Sequence, residues 1–344
     1  VTLVATDKGI VHQSVVGMAD LTQHKPIAND SIFWIASMSK PITGACVMML
    51  QDEGKLSLDD PITKHLPEMS NLKMTDGVSP VITIRHLLTH TSGMAELKAE
   101  QAYTSKTLEE AASRYAKVAV QFQPGMKWQY SQTSINTAAR IVEVVSGMSF
   151  DQFVHKRLFE PLMMRDTAFY LSQAQMARLA KSYSKPKEGP LEETSIKLLA
   201  GKLPTDRDRF PAGNGGLFST AGDYARFCQM LLLGGELDGR RILSQDAVKT
   251  MRTIATGKLE TGFSPGNGWG IGCCVVREPQ GVTAALSSGS FGHGGAYGTQ
   301  AWIDPIKNRI YILMIQRSNL GNSDASDIRR VFQEEASKTL DLLH

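Results

Sequence analysis

The sequence predicts an α+β fold: an antiparallel sheet built from both chain ends, flanked by helices, with a mainly helical lobe inserted between them. Two observations carry that expectation. Short β-rich runs joined by turn signals stand near both termini, and helical patterns dominate the residues between. Residues 1–76 and 205–344 are expected to form the lobe with the sheet, and residues 77–204 the helical lobe. The active site is expected in the cleft between them.

The elements follow in order. Residues 2–7 and 11–18 read as paired strands around the Lys8-Gly9 turn. A helix is expected from about 37 to 53, apolar on most faces (Ile42, Ala45, Cys46, Val47, Met48, Met49, Leu50) and therefore buried. Pro41 falls in its first turn, where a missing N–H costs little, and Gly54 stops it. A second helix is expected from 131 to 147, with Ile135, Ala138, Ala139, Val142 and Val145 facing the core. Residues 181–190, rich in Lys, Ser, Pro and Gly, read as a loop. A third helix follows Ser219-Thr220, with Asp223 as capping partner, and ends at Gly234-Gly235. Residues 269–276 read as one strand, placing Cys273 and Cys274 on opposite faces. Residues 297–303 and 309–316 flank a turn at 304–308. The last helix, 326–343, carries the stripe Ile328, Val331, Phe332, Ala336, Leu340 and Leu343, which is expected to lie on the sheet.

Composition excludes several classes. The chain has 344 residues, 42% hydrophobic and 21% charged, as in ordinary globular proteins. A net charge of +3, with no basic cluster, gives no footing for nucleic acid or an anionic membrane. No apolar run approaches the roughly 18 residues of a membrane span. The opening Val1-Thr2-Leu3-Val4-Ala5 is not an intact export signal. Cys46, Cys228, Cys273 and Cys274 lack C-x-x-C spacing, so four buried or half-buried free thiols are expected and no metal.

Chemistry concentrates in the tetrad Ser37-Met38-Ser39-Lys40. A serine hydroxyl needs a base close by. Ser-x-x-Lys sets the two side chains at i and i+3 on one helix face. Lysine serves as base only where burial or neighbouring positive charge lowers its pKa. A serine in the first helical turn also gains from the unpaired N–H groups there. The pattern alone is weak: it starts at Ser37, Ser70, Ser182 and Ser184, and only Ser37 has an apolar lead-in and an apolar helix behind it. By itself the tetrad reads equally well as a plain N-cap with Lys40 in solvent. Two further features weigh on the choice. Tyr130-Ser131-Gln132 puts a phenol and an amide just before a helix, where the phenol could relay protons, although a core tyrosine fits the same pattern. Gly292-His293-Gly294-Gly295-Ala296 reads as glycines opening a strand, which lets backbone approach a ligand, or as a plain glycine-rich turn.

In order and spacing these three segments resemble the motifs of class C β-lactamase-like serine hydrolases, a group that includes penicillin-binding D-amino-acid peptidases and family VIII carboxylesterases. Residues 33–44, 85–93, 158–162 and 215–220 are similar to it as well, so the resemblance spans nearly the whole chain. It implies a β-lactamase/transpeptidase-like fold and an acyl-enzyme on Ser37. Lys40 and Tyr130 would share general-base and general-acid work, and the N–H groups of Ser37 and Ala296 would form an oxyanion hole. Gln132, His293, Gly294 and Gly295 would bind substrate: a small ester, an amide or a D-amino-acid peptide. No cofactor is implied, and the compartment implied is the periplasm or the exterior.

Three departures shape the substrate expectation. His293 stands where β-lactamases of this class carry lysine, so a permanent cation for a substrate carboxylate is missing. Gln132 replaces the usual asparagine and reaches one methylene farther. The family's N-terminal helix has no counterpart before the first strand, which implies a preceding piece. Esterase-type hydrolysis therefore ranks first, D-amino-acid peptidase or penicillin-binding activity second, and efficient β-lactam hydrolysis third. A non-catalytic binding or sensor protein on the same fold is the alternative of another class. The G-x-S-x-G match at Gly262-Phe263-Ser264-Pro265-Gly266 stands directly before the strand expected at 269–276 instead of between a strand and a helix, as a nucleophile elbow requires, which sets the α/β-hydrolase fold aside. His86 and His90, four apart, raise a metal hydrolase, but H-E-x-x-H is absent. The run Gly213-Asn214-Gly215-Gly216 reads as a tight turn before a capped helix, or as an anion site lining the cleft.

Overall fold

The computed structural model describes residues 1–320 and 325–341. Its centre is a seven-stranded antiparallel sheet. In chain order the strands are β1 (Thr2–Thr6), β2 (Gly9–Ser14), β3 (Asn267–Trp269), β4 (Cys274–Val276), β5 (Phe291–Gly294), β6 (Gln300–Asp304) and β7 (Arg309–Leu313). Their spatial order is β3-β4-β5-β6-β7-β1-β2. The N-terminal hairpin joins the C-terminal strands through β1 and β7, with Leu3 opposite Ile312 and Val4 opposite Tyr311. The sheet is thus assembled from both chain ends, as the strand signals predict.

Both faces of the sheet are covered, and the period of two sorts its side chains. Leu3, Ala5, Ala301, Ile303, Ile310 and Ile312 point into the main core. Val4, Trp302 and Tyr311, which alternate with them, join a second cluster on the opposite face. Helix α1 (Ser39–Asp52) has residues 39–50 all buried, matching its lack of a polar face. Helix α2 (Gln132–Ser146) is capped by Ser131, whose hydroxyl accepts from Ser134 N, and ends on Gly147 at φ +70°. Helix α3 (Ala221–Leu232) places Ala221, Tyr224, Ala225, Phe227 and Cys228 in the main core. Helix α4 (Asp327–Asp341) covers the other face through Phe332, Ala336 and Leu340. Each fully buried apolar side chain of this size contributes about 1.5–3 kcal/mol. Shorter helices, including Ile84–Leu88 and Leu108–Tyr115, lie between α1 and α2 in sequence.

Several expectations change. Residues 269–276 are not one strand. Gly270 and Gly272 turn the chain into the β3–β4 hairpin, and Gly270 N donates to Cys273 O at 2.9 Å. Gly272 is required there: φ is +73°, and a Cβ would stand 2.7 Å from Lys40 O. Cys273 and Cys274 still face opposite clusters, and all four cysteines are buried. Asp223 is the capping partner of Thr220 through its backbone, its N–H donating to Thr220 Oγ1 at 3.1 Å. Its carboxylate accepts from Asp166 N at 2.7 Å and Thr167 Oγ1 at 3.0 Å, tying α3 to the preceding loop. The expected loop at 181–190 holds a short strand, Tyr183–Ser184, paired with Arg317–Ser318 and Glu192–Glu193. Ile328 and Val331 are 43% and 47% exposed, because the contact of α4 with the sheet narrows to the i, i+4, i+8 row of Phe332, Ala336 and Leu340. Leu343 lies outside the described residues.

Candidate active site

The nucleophile candidate is delivered by a sharp reversal. Phe33–Trp34 pairs with Phe218–Ser219, Ile35 N donates to Leu217 O at 3.1 Å, and Trp34 Nε1 donates to Gly215 O at 2.7 Å. Ala36 then takes φ +46°, unusual for a residue with a Cβ, and a 3₁₀ turn at Ala36–Met38 leads into α1. Such strain costs of order 1–3 kcal/mol and persists only where the surroundings enforce it. Ser37 therefore sits in a tight turn ahead of α1 and is half-buried. Its N–H precedes the helical hydrogen-bond ladder.

Lys40 does not reach solvent; it is fully buried. Its Nζ lies 3.1 Å from Ser37 Oγ, 2.9 Å from Gln132 Oε1 and 2.7 Å from the Asn214 carbonyl oxygen. The plain N-cap reading of the tetrad is thereby overturned. Nζ also stands 4.6 Å from the centre of the Tyr130 ring. A neutral amine has two N–H groups and one lone pair. Here two neighbours are carbonyl oxygens that can only accept, and the third is a hydroxyl that can donate. A deprotonated Lys40 that donates to both carbonyl oxygens can turn its lone pair to the Ser37 hydroxyl.

Tyr130 and Gln132 come from the start of α2, and the support under them is specific. Ser131 N donates to His90 Nδ1 at 3.0 Å, and the His90 ring lies 4.5 Å from that of Tyr130. His90 is completely buried, and burial followed by the Lys40 charge holds its pKa well below the ordinary value. It acts as a neutral acceptor fixing the backbone beside Tyr130. His86 turns elsewhere: its Nδ1 accepts from Thr83 N at 3.2 Å, closing a capping box. His90 lies beyond that helix with φ +60°, so the two histidines do not share a helical face as their spacing predicts. Glu96 Oε1 accepts from Gln132 N at 2.6 Å, placing a carboxylate at the N-terminus of α2.

His293 ends β5. The glycine tract closes this strand and turns into β6, rather than opening a strand as expected. His293 Nδ1 donates to Gly294 O at 2.6 Å, leaving Nε2 as an acceptor for the Tyr130 hydroxyl at 3.3 Å. Burial, then the Lys40 charge, pushes the His293 pKa down to about 3. The ring is neutral, so the third segment presents no cation. Gly295 packs against the chain leading into Ser37, where a Cβ would lie 2.6 Å from Ile35 O and 2.0 Å from Thr299 Oγ1. Ala296 follows at the exposed tip of that turn.

The fold thus gathers Ser37, Lys40, Tyr130, Gln132 and His293, with Gly294 and Gly295 alongside. Sequence reasoning missed Glu96 and His90 as parts of the site, and placed the run holding Asn214 at the cleft only as the second of two readings. The glycine run around Asn214 was a signal, and the structure makes it the wall behind Lys40. Glu96 carried none, being joined to α2 only by the loop's path.

The Beta-lactamase family profile matches residues 1–336. The chain belongs to the β-lactamase family. A Mycobacterium tuberculosis protein is 32% identical over 345 residues, covering 92% of this chain and 85% of that one. Esterase EstB of Burkholderia gladioli is 27% identical, covering 88% and 82%. Among solved structures, EstCE1, a hydrolase with promiscuous acyltransferase activity, superposes with a TM-score of 0.83 at 25% identity, covering 98% of this chain and 92% of that one. The fold is that of the β-lactamase/transpeptidase group, and the chain is a serine hydrolase of this family. Among the described residues no helix is long and apolar enough to cross a membrane.

Proposed function

We propose that this enzyme hydrolyses small carboxylic esters through an acyl-enzyme on Ser37. One observation carries the reading: Lys40 Nζ lies 3.1 Å from Ser37 Oγ, while the Gln132 and Asn214 carbonyl oxygens accept from it at 2.9 and 2.7 Å. Lys40 takes the hydroxyl proton as Oγ attacks the ester carbonyl carbon. The oxyanion that forms is met by the N–H groups of Ser37 and Ala296. Tyr130, oriented by His293, delivers a proton to the departing alkoxide as the C–O bond breaks. Water then attacks the acyl-enzyme by the reverse relay, and Ser37 regains its proton. Substrate enters between the lobe of residues 1–76 and 205–344 and the lobe of residues 77–204.

The ester preference is supported by the neutral His293, which offers no charge to a substrate carboxylate, and by the likeness to EstB. The test is p-nitrophenyl acetate and a β-lactam, each read by intact mass. An adduct of one acyl group with the ester, absent in Ser37→Ala, is the expected result. A folded protein that takes no acyl group from any donor would show a binding module instead. Preferential labelling by the β-lactam would replace the ester reading with the penicillin-binding one.

A further inference from the structure

The side chain of Asn214 is buried, 2% exposed, in the loop behind Lys40. Its Nδ2 donates to Gln132 Oε1 at 2.8 Å and to Tyr103 Oη at 2.9 Å. Its own N–H donates to Asn136 Oδ1 at 3.1 Å, and its carbonyl oxygen accepts from Lys40 Nζ at 2.7 Å. Asn214 therefore touches Lys40 twice, once through its backbone and once through the Gln132 amide.

We propose that Asn214 is a positioning residue: its amide N–H fixes which atom of Gln132 faces Lys40, and so aims the Lys40 lone pair at Ser37. This inference rests on Ser37 being the acylated residue. The argument is one of hydrogen-bond inventory. A Gln amide presents an oxygen on one side and an NH₂ on the other. With oxygen toward Lys40, the amine directs an N–H there and turns its lone pair to Ser37. With NH₂ toward Lys40, the lone pair is drawn to Gln132 and away from the nucleophile. The protonated amine selects the first arrangement by itself; once Lys40 is neutral, a second donor beside Oε1 holds it there, and Asn214 Nδ2 is that donor. Tyr103 Oη accepts the other Nδ2 hydrogen at 2.9 Å, and burial raises its phenol to about pKa 12, keeping it neutral. The arrangement is not one that stability favours. Asn214 Oδ1 is buried without a partner, a cost of about 1–3 kcal/mol that an apolar residue would avoid. Buried polar residues that break this rule concentrate at functional sites.

The test is a double-mutant cycle on the burst of p-nitrophenyl acetate, which carries no acyl amide for Gln132 to bind. Asn214→Ala is expected to lower the acylation rate constant about tenfold, one hydrogen bond's worth, with the substrate dissociation constant unchanged. In the Gln132→Ala background the same substitution is expected to have no further effect. Asn214→Leu, which keeps the volume without the donors, should behave alike and serves if the alanine variant folds poorly. Equal losses in both backgrounds, or a loss confined to substrate binding, would overturn the positioning role. A wild-type protein with no burst would instead overturn the acyl-enzyme reading and this inference with it.

Discussion

At the scale of single residues, the site turns on buried Lys40 meeting two carbonyl oxygens and the Ser37 hydroxyl. Replacing it with methionine removes the base but also removes a buried polar group. Lys40→Met is expected to lose about 10²–10⁴-fold in ester turnover without a fall in Tm, measured by burst kinetics and calorimetry. Retained turnover would show that Tyr130 alone activates Ser37. His293 gives a second prediction. Because it is neutral and accepts from Tyr130, His293→Lys would restore a cation beside the phenol. The β-lactam acylation rate should rise relative to ester turnover; an unchanged ratio would show that the missing cation does not set substrate choice. Ser37, Lys40, Tyr130 and His293 were all legible in the sequence because each belongs to a local motif with its own spacing. Asn214 was legible only as part of a glycine run that was either a tight turn or a cleft-lining anion site, since its partners Gln132 and Tyr103 lie 82 and 111 residues away.

At the scale of elements, the site is an intersection of turns rather than the face of one helix. The 3₁₀ turn at Ala36–Met38, the start of α2 and the β5–β6 turn meet there, and two glycines allow their backbones to close up. Gly295→Ala would drive a methyl group into Ile35 O and Thr299 Oγ1. The expected cost is roughly 1–3 kcal/mol in denaturant unfolding, together with a disproportionate loss of acylation. A variant with normal stability and activity would show that the Gly295 turn has room to relax. The helices were the most readable elements. Their apolar stretches and their stops at Gly54, Gly147 and Gly234 survive in the fold. The β3–β4 hairpin was not readable, because a glycine pair inside an apolar run resembles a strand until the backbone is seen turning against Lys40 O.

At the scale of the whole molecule, burying two neutral histidines makes stability depend on pH. His90 and His293 both have pKa values lowered by burial, His293 from 6.5 to about 3. Between those values the unfolded chain binds protons that the folded chain refuses, so stability rises with pH across the window and is lost as pH falls through it. His293→Asn should flatten the dependence of Tm on pH between about 3 and 6.5, relative to wild type. A slope unchanged by that substitution would mean that His293 titrates normally in the folded protein.

Sequence by itself determined the fold class, the pairing of the chain ends into one sheet and three motif segments, because these rest on local periodicity and spacing. It also determined that the third segment offers histidine instead of lysine. Tertiary structure alone decided the state and direction of the groups. Complete burial makes His293 an acceptor, and two carbonyl oxygens drawn from distant segments turn Lys40 toward Ser37. Desolvation and hydrogen-bond complementarity act through space, so they become readable only where the chain has been folded back on itself.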